Sequence, residues 1–397
     1  MGHGSMPSGP GPAGHAMILG IDASNIRAGG GLTHLAELLH AADPGEAGFE
    51  KVVVWGSRAT LSRLPSRAWI EHAHVGDLEG PLARRIYWQR RVLPRLAAQR
   101  CDILFVPGGA CAKSPIPVVT MSQNLLPFEG RELLRFGLSR VTVRLAILRL
   151  TQARTFRRAD GVIFLTRYAQ ARVEGEVGTI ARAAVIPHGI GAKFFSSPKP
   201  QRGLEAYSFD RPLKFLYVSI VDMYKHQWRV VEAVARLRNE GLPVHLDLVG
   251  PSYPPALRKL MKTMRRFDPE RRFVRYHGAV TYDGLPAYAA QADCVIFAST
   301  CENLPIILLE AMACGAPIAC SDFGPMPEVL RDAGVYFNPE DQGSMTTALR
   351  ELVRNRTRRE WLARCGSEYA KGYSWTRCAK ETFAFLSRVA REAPKTQ

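Results

Sequence analysis

Short apolar runs rich in Val, Ile, Leu and Phe recur along this chain, separated by longer stretches in which hydrophobic and polar residues mix with a helical spacing. Runs bounded by turn residues read as buried strands, and strands that alternate with helices build a parallel sheet. Strands are predicted at Met17–Asp22, Lys51–Trp55, Asp102–Val106, Val118–Met121 and Gly161–Leu165, and another over AAVI before His188. After an interval holding Pro198, Pro200, Gly203 and Pro212, the alternation resumes with LKFLYVSI, the helix WRVVEAVARLRNEG, VHLDLVGP, Cys294–Ala298 and Ala316–Cys320. The Pro-rich interval reads as a linker between two α/β domains, each a doubly wound sheet. Beyond Asp341 two helices follow, and YSWTRCAKETFAFLSRVARE reads as a last amphipathic helix.

The stretch Asp293–Pro327 holds the candidate chemistry. Cys294–Ala298 is a strand, Pro305 can open a helix where its missing N–H costs nothing, and Gly315 stands where that helix stops. Seven residues separate Glu302 from Glu310. Glu302 then stands just before the helix, a rise of roughly 1.5 Å per residue puts Glu310 about 8 Å along it, and helical side chains lean back toward the N-terminus. Both can then line one crevice at the carboxyl end of a strand, where helix N–H groups favour an anion such as a nucleotide diphosphate. Glu310 can accept hydrogen bonds from ribose hydroxyls, and Glu302 with the backbone of Asn303, Leu304 and Pro305 can hold a sugar.

ENLPIILLEAMACGAPI, with SDFGPMPEVL and GVYFNPED after it, resembles the donor-site signature of the family 4 retaining glycosyltransferases. That resemblance implies the GT-B fold of two facing Rossmann-like domains. Together with the Gly- and Pro-rich start, which reads as a disordered tail at 1–16, and the Pro-rich linker, it divides the chain into an acceptor domain at 17–200, a nucleotide-sugar donor domain at 201–375, and a helix at 376–397 that would cross back to the first domain. It implies that Glu302 contacts the transferred sugar as the catalytic carboxylate and Glu310 binds the ribose. Gly30 and Gly31, in the glycine-rich turn after the first strand, would face the donor diphosphate; their spacing is not that of a dinucleotide fingerprint. Lys225 matches a phosphate-binding Lys of the family, while the position of its partner Arg falls at Ser219 or Ile220. Family members often carry a His after the strand ending at Met121; here Ser122, Gln123 and Asn124 stand there, with Asn124 as substitute. His188 and Gly250 are further cleft candidates, and Gly278 would lie near the base.

Composition adds one feature. The chain of 397 residues is 46% hydrophobic and 22% charged, as for ordinary globular domains, but its net charge is +17. Six Arg and no acid lie between Arg84 and Arg100; eight Arg and one Glu lie between Arg131 and Arg158. Interleaved with aliphatic and aromatic residues, they suit an anionic bilayer surface, although counting at 3.6 residues per turn gives no single basic face. No apolar run is long enough to span a membrane, MGHGSMPSGPGPAGHA lacks the apolar core of a secretory signal, and the eight scattered Cys suit a reducing compartment.

The resemblance then implies a metal-independent hexosyltransferase with no cofactor besides its nucleotide-sugar donor substrate. Its acceptor would be a lipid-linked or saccharide hydroxyl, as in bacterial O-antigen and lipopolysaccharide synthesis, and it would sit in the cytoplasm at the inner membrane face. Two other classes fit parts of the pattern. A nucleotide-sugar epimerase would release a free isomer. A basic nucleic-acid binder would show salt-sensitive binding indifferent to nucleotide sugars, but no aromatic platform or recognition motif for nucleic acid is present.

Overall fold

The computed structural model describes residues 16–27, 29–109, 111 and 113–393; nearly all of the predicted N-terminal tail lies outside them. Among the described residues, thirteen strands form two parallel sheets. They are β1 (Met17–Asp22), β2 (Phe49–Gly56), β3 (Ile70–His74), β4 (Ile103–Val106), β5 (Val118–Met121), β6 (Gly161–Phe164), β7 (Ala183–Val185), β8 (Leu213–Val218), β9 (Val244–Val249), β10 (Val274–Tyr276), β11 (Cys294–Phe297), β12 (Ile318–Ser321) and β13 (Gly334–Phe337). The seven-stranded sheet has the order β3-β2-β1-β4-β5-β6-β7, and the six-stranded sheet β10-β9-β8-β11-β12-β13. In both, the order reverses beside the first strand of the set, the switch point at which α/β sheets open a crevice. Two doubly wound Rossmann-like sheets are what the alternation predicts.

The described residues gather into two compact units. One comprises those up to Thr120, Ala159–Gly161 and those from Ala379 on; the other comprises Met121–Arg158 and Val162–Cys378. In the first unit, the central strands are apolar on both faces, with Leu19, Ile21, Val52, Val54, Ile103 and Phe105 buried, as a sheet covered by helices on both sides requires. Gly20 is small because Trp55 fills the space: a Cβ there would lie 2.8 Å from the indole. From Ala379 on, the helix Trp375–Glu392 belongs to this unit, and its Phe383 meets Phe49 edge-on at 6.0 Å between ring centres.

In the second unit, β8, β9 and β11 carry the core, with Phe215, Leu246, Leu248, Val295 and Ile296 buried. The Pro-rich interval is held in place by the buried Arg359. Its guanidinium donates to Gln201 Oε1 at 3.1 Å, to the carbonyl of Val353 at 3.0 Å, and to the carbonyls of Leu352 and Arg202. The helix Ile306–Ala313 starts one residue later than its sequence suggests, with Pro305 as N-cap. It stops where expected: Gly315 takes a left-handed conformation (φ 61°) and its N–H returns to the carbonyl of Met312 at 3.0 Å. A Cβ on Gly315 would meet the backbone of Pro198 at 2.6 Å, so both conformation and space demand glycine.

Candidate functional site

Apart from Gly30 and Gly31, every candidate residue lies in the second unit. The site is built at the carboxyl ends of β8 and β11. After β8 the chain turns through Ser219–Lys225 and enters the helix Gln227–Asn239 by way of His226, a buried residue in left-handed conformation (φ 54°). Three bonds fix the turn. Tyr217 Oη donates to the Lys225 carbonyl at 2.8 Å, the Thr300 N–H donates to the Tyr224 carbonyl at 2.9 Å, and His226 Nε2 lies 3.2 Å from Thr300 Oγ1. The turn is thereby tied to the loop that follows β11 and carries Glu302.

This brings Lys225 and Glu302, 77 residues apart in sequence, into an ion pair between Nζ and Oε1. Both are largely buried, and the ammonium also lies 5.1 Å and 5.3 Å from the ring centres of Tyr224 and Phe297. A charge held in such surroundings requires a counter-charge at hand. The sequence assigns Lys225 to a phosphate and Glu302 to a sugar; in the structure each neutralises the other.

Asn303 is locked between chain segments. Its Nδ2 donates to the carbonyl of Ser122 at 2.6 Å, and its own carbonyl accepts from Thr166 Oγ1 at 3.0 Å. The backbone carbonyl is therefore committed, while Oδ1 is buried without a hydrogen-bond partner among the described residues. Leu304 and Pro305 are buried beside it. Glu310, on the second turn of the helix, is held separately: Tyr282 Oη donates to its Oε1 at 2.7 Å. Burial pushes the Glu310 carboxyl up to about 7, against the opposing effects of the Tyr282 bond and the charge of Lys193. Lys193 Nζ stands 3.9 Å from the centre of the Tyr282 ring and bonds Asp283 at 2.6 Å.

Ser219 and Gly250 touch through backbone. Gly250 has φ 143°, its N–H donates to the carbonyl of Gly278 at 2.8 Å, and a Cβ on it would lie 2.1 Å from the carbonyl oxygen of Ser219. Gly278 is itself left-handed at φ 73°. Glycine at 250 thus lets three strand ends close together. Gly250→Ala is expected to cost about 3 kcal/mol of folding stability, measured as a lowered denaturant midpoint at unchanged slope.

The remaining candidates are placed differently. Asn124 is exposed, and its Oδ1 accepts from the N–H of Leu126 at 3.1 Å, a local turn contact. His188 is buried with its ring 5.8 Å from that of Trp375, and a Cβ on Gly189 would lie 2.2 Å from the Trp375 nitrogen. Gly30 and Gly31, in the first unit, open the helix Gly30–Ala41, capped by Gly29 at φ 70°. Tyr282, Thr300 and His226 are contacts that sequence reasoning missed. The signal for Tyr282 lay in the polar loop TYDG, which carries no motif.

Two family models match the chain: Glycosyltransferase Family 4 over residues 28–193 and Glycosyl transferases group 1 over residues 212–355. Among similar proteins, the O-antigen chain mannosyltransferase B of Escherichia coli is 33% identical over 110 residues, 28% of this chain and 29% of that protein. The GDP-mannose-dependent alpha-(1-6)-phosphatidylinositol monomannoside mannosyltransferase of Mycolicibacterium smegmatis is 29% identical over 253 residues, 59% of this chain and 64% of that protein. Both alignments thus span less than two-thirds of the relative. In fold, sucrose-phosphate synthase from Thermosynechococcus elongatus superposes with a TM-score of 0.71 at 18% identity, covering 92% of this chain and 97% of that one. Anabaena HepE in complex with UDP superposes with a TM-score of 0.67 at 18% identity, covering 94% and 100%. The signature between Glu302 and Glu310, the paired sheets and these matches agree: the chain belongs to the family 4 glycosyltransferases and has the GT-B fold.

Proposed function

We propose that the protein is a retaining, metal-independent glycosyltransferase that moves a hexose from a nucleotide-diphosphate donor to a hydroxyl of a lipid-linked or polysaccharide acceptor. The observation that carries this reading is the Lys225–Glu302 pair after the ends of β8 and β11, with the buried Glu310 on the helix Ile306–Ala313 that follows Glu302. When the bond between the sugar C1 and the diphosphate breaks, negative charge builds on the departing oxygen and positive charge on the sugar, while the acceptor oxygen bonds to C1 and its proton passes to a diphosphate oxygen. Lys225 swings its charge to the diphosphate; Glu302, released from its partner, faces the positive sugar. Glu310 accepts the ribose hydroxyls in place of the Tyr282 hydroxyl.

The family resemblance supports the retaining outcome, and Lys225 supplies the positive charge that other enzymes take from a divalent ion. The names of two relatives point to GDP-mannose as donor and to a lipid-linked or O-antigen acceptor. Among the described residues no helix is long and apolar enough to cross a membrane, and the net charge of +17 favours work at the anionic inner membrane face.

Thermal unfolding against GDP, UDP, GDP-mannose and UDP-glucose tests the donor, because a ligand that binds only the folded chain raises the midpoint. GDP and GDP-mannose are expected to raise it, and Glu310→Ala to abolish the rise. A rise with UDP species alone would overturn the GDP assignment, and no rise with any of them would overturn the nucleotide-sugar reading.

A further inference from the structure

The helix Arg140–Phe156 has an inner and an outer face of different character. Leu145, Gln152, Ala153 and Phe156 turn inward, with Phe156 packed on Phe128 and Phe164 at ring-centre distances of 5.8 and 6.4 Å. Arg149, at the edge of the buried side, is occupied by Glu176, to which its Nη2 donates at 2.7 Å. The outer face carries Val143, Ile147 and Leu150, which are 61%, 56% and 72% exposed and recur at the spacing of one helical stripe. Arg140, Arg144 and Arg154 are exposed around this stripe, and the helix contains no acidic residue. Just before it, Leu134 and Leu138 are exposed as well, Leu138 completely. Counting all eight Arg of this stretch hid the face, because Arg135 and Arg149 are spent on Glu132, Glu340 and Glu176.

We infer that this outer face docks the protein on an anionic lipid bilayer, with Val143, Ile147 and Leu150 inserted among the acyl chains at the headgroup boundary and Arg140, Arg144 and Arg154 on lipid phosphates. Contiguous exposed aliphatic side chains on a soluble fold mark a surface that is covered in use. Charge decides between occupants. A second copy of the chain seated here would set Arg against Arg with no acid to answer it, which an isologous contact penalises. Nucleic acid would find phosphate partners but only aliphatic side chains between them, with no ring on which a base can stack. An anionic bilayer matches both parts: hydrocarbon for the stripe and phosphate for its rim. The inference specifies where the membrane contact of the proposed function is made, and it does not depend on the chemistry at Glu302.

The test is flotation of the full chain with phosphatidylcholine vesicles, with and without phosphatidylglycerol, at low and high salt. Wild type is expected to bind only the anionic vesicles, and salt to weaken binding in part. V143S/I147S/L150S is expected to lose about tenfold or more in affinity at low salt, and R140Q/R144Q/R154Q to lose the salt-sensitive part. Leu82→Ser/Tyr87→Ser, on another exposed segment, serves as a comparison expected to bind like wild type. Midpoints of unfolding and GDP-induced stabilisation are recorded for every variant, so that a folding defect or a failed donor assignment shows separately. The inference is overturned if the serine triple variant, folded, floats like wild type, if neutral vesicles are bound equally well, or if wild type is a dimer that the triple variant dissolves. A comparison variant that loses as much as the triple variant overturns it too, by moving the contact elsewhere.

Discussion

Glu302→Gln is expected to reduce kcat by about a thousandfold, while costing about 3 kcal/mol of stability. The two losses have different origins. The first removes the negative charge that faces the developing positive charge on the sugar, an interaction strongest in the transition state, so kcat falls rather than KM rising. The second arises because Lys225 is then left as a largely buried ammonium with no counter-ion. Lys225→Met is expected to show the same double effect, with the catalytic loss now at the departing diphosphate. The combination Lys225→Met/Glu302→Gln separates them: with both charges gone the stability penalty should shrink well below the sum of the single losses, while activity stays lost. Denaturation midpoints and single-turnover rates on the four proteins complete the cycle. A Glu302→Gln enzyme within tenfold of wild type would remove Glu302 from the mechanism.

That pair also shows what the sequence could and could not disclose. Lys225 and Glu302 were each legible, one from its place at a strand-to-helix turn and the other from the spaced Glu pair before and on a helix. Their union was not, since it depends on how Tyr217, Tyr224 and Thr300 tie two loops together through backbone atoms. The central strands were legible because both faces are buried and the runs are continuously apolar. The edge strands β3 and β10 were missed for the converse reason: IEHAH and VRY are half-exposed and polar, with no alternation long enough to register. β13 is apolar but only four residues long, and passed as part of a motif. The outer stripe of the helix Arg140–Phe156 escaped because sequence counts every Arg alike, whereas the fold removes those paired with Glu132, Glu176 and Glu340. Motif and periodicity mark residues one at a time; the pairing of charges is a tertiary fact.

The second large effect is the pH dependence of donor binding through Glu310. Burial raises its carboxyl from 4.5 to about 7, so the folded chain holds a proton over the interval in which the unfolded chain has released it. For the ligand-free protein this contribution to stability is fully present below the unfolded value and is lost as pH rises through about 7. It amounts to about 3 kcal/mol at most. Donor binding runs the other way, because the ribose hydroxyls donate to the ionised carboxylate, and binding must expel the proton. GDP affinity is therefore expected to rise about tenfold from pH 6 to pH 8 and to level off above that. Calorimetry in buffers of different ionisation enthalpy should show about one proton released at pH 6 and almost none at pH 8. Glu310→Gln, which cannot ionise, should bind more weakly and with no dependence on pH across this range. Tyr282→Phe provides the finer check. The Tyr282 hydroxyl bond favours the charged carboxylate, so its removal should move the inflection to higher pH while leaving the plateau affinity near that of wild type, since the ribose takes the place of that hydroxyl. A wild-type affinity that is flat between pH 6 and pH 8, alongside a Gln variant of equal strength, would place the ribose on another residue.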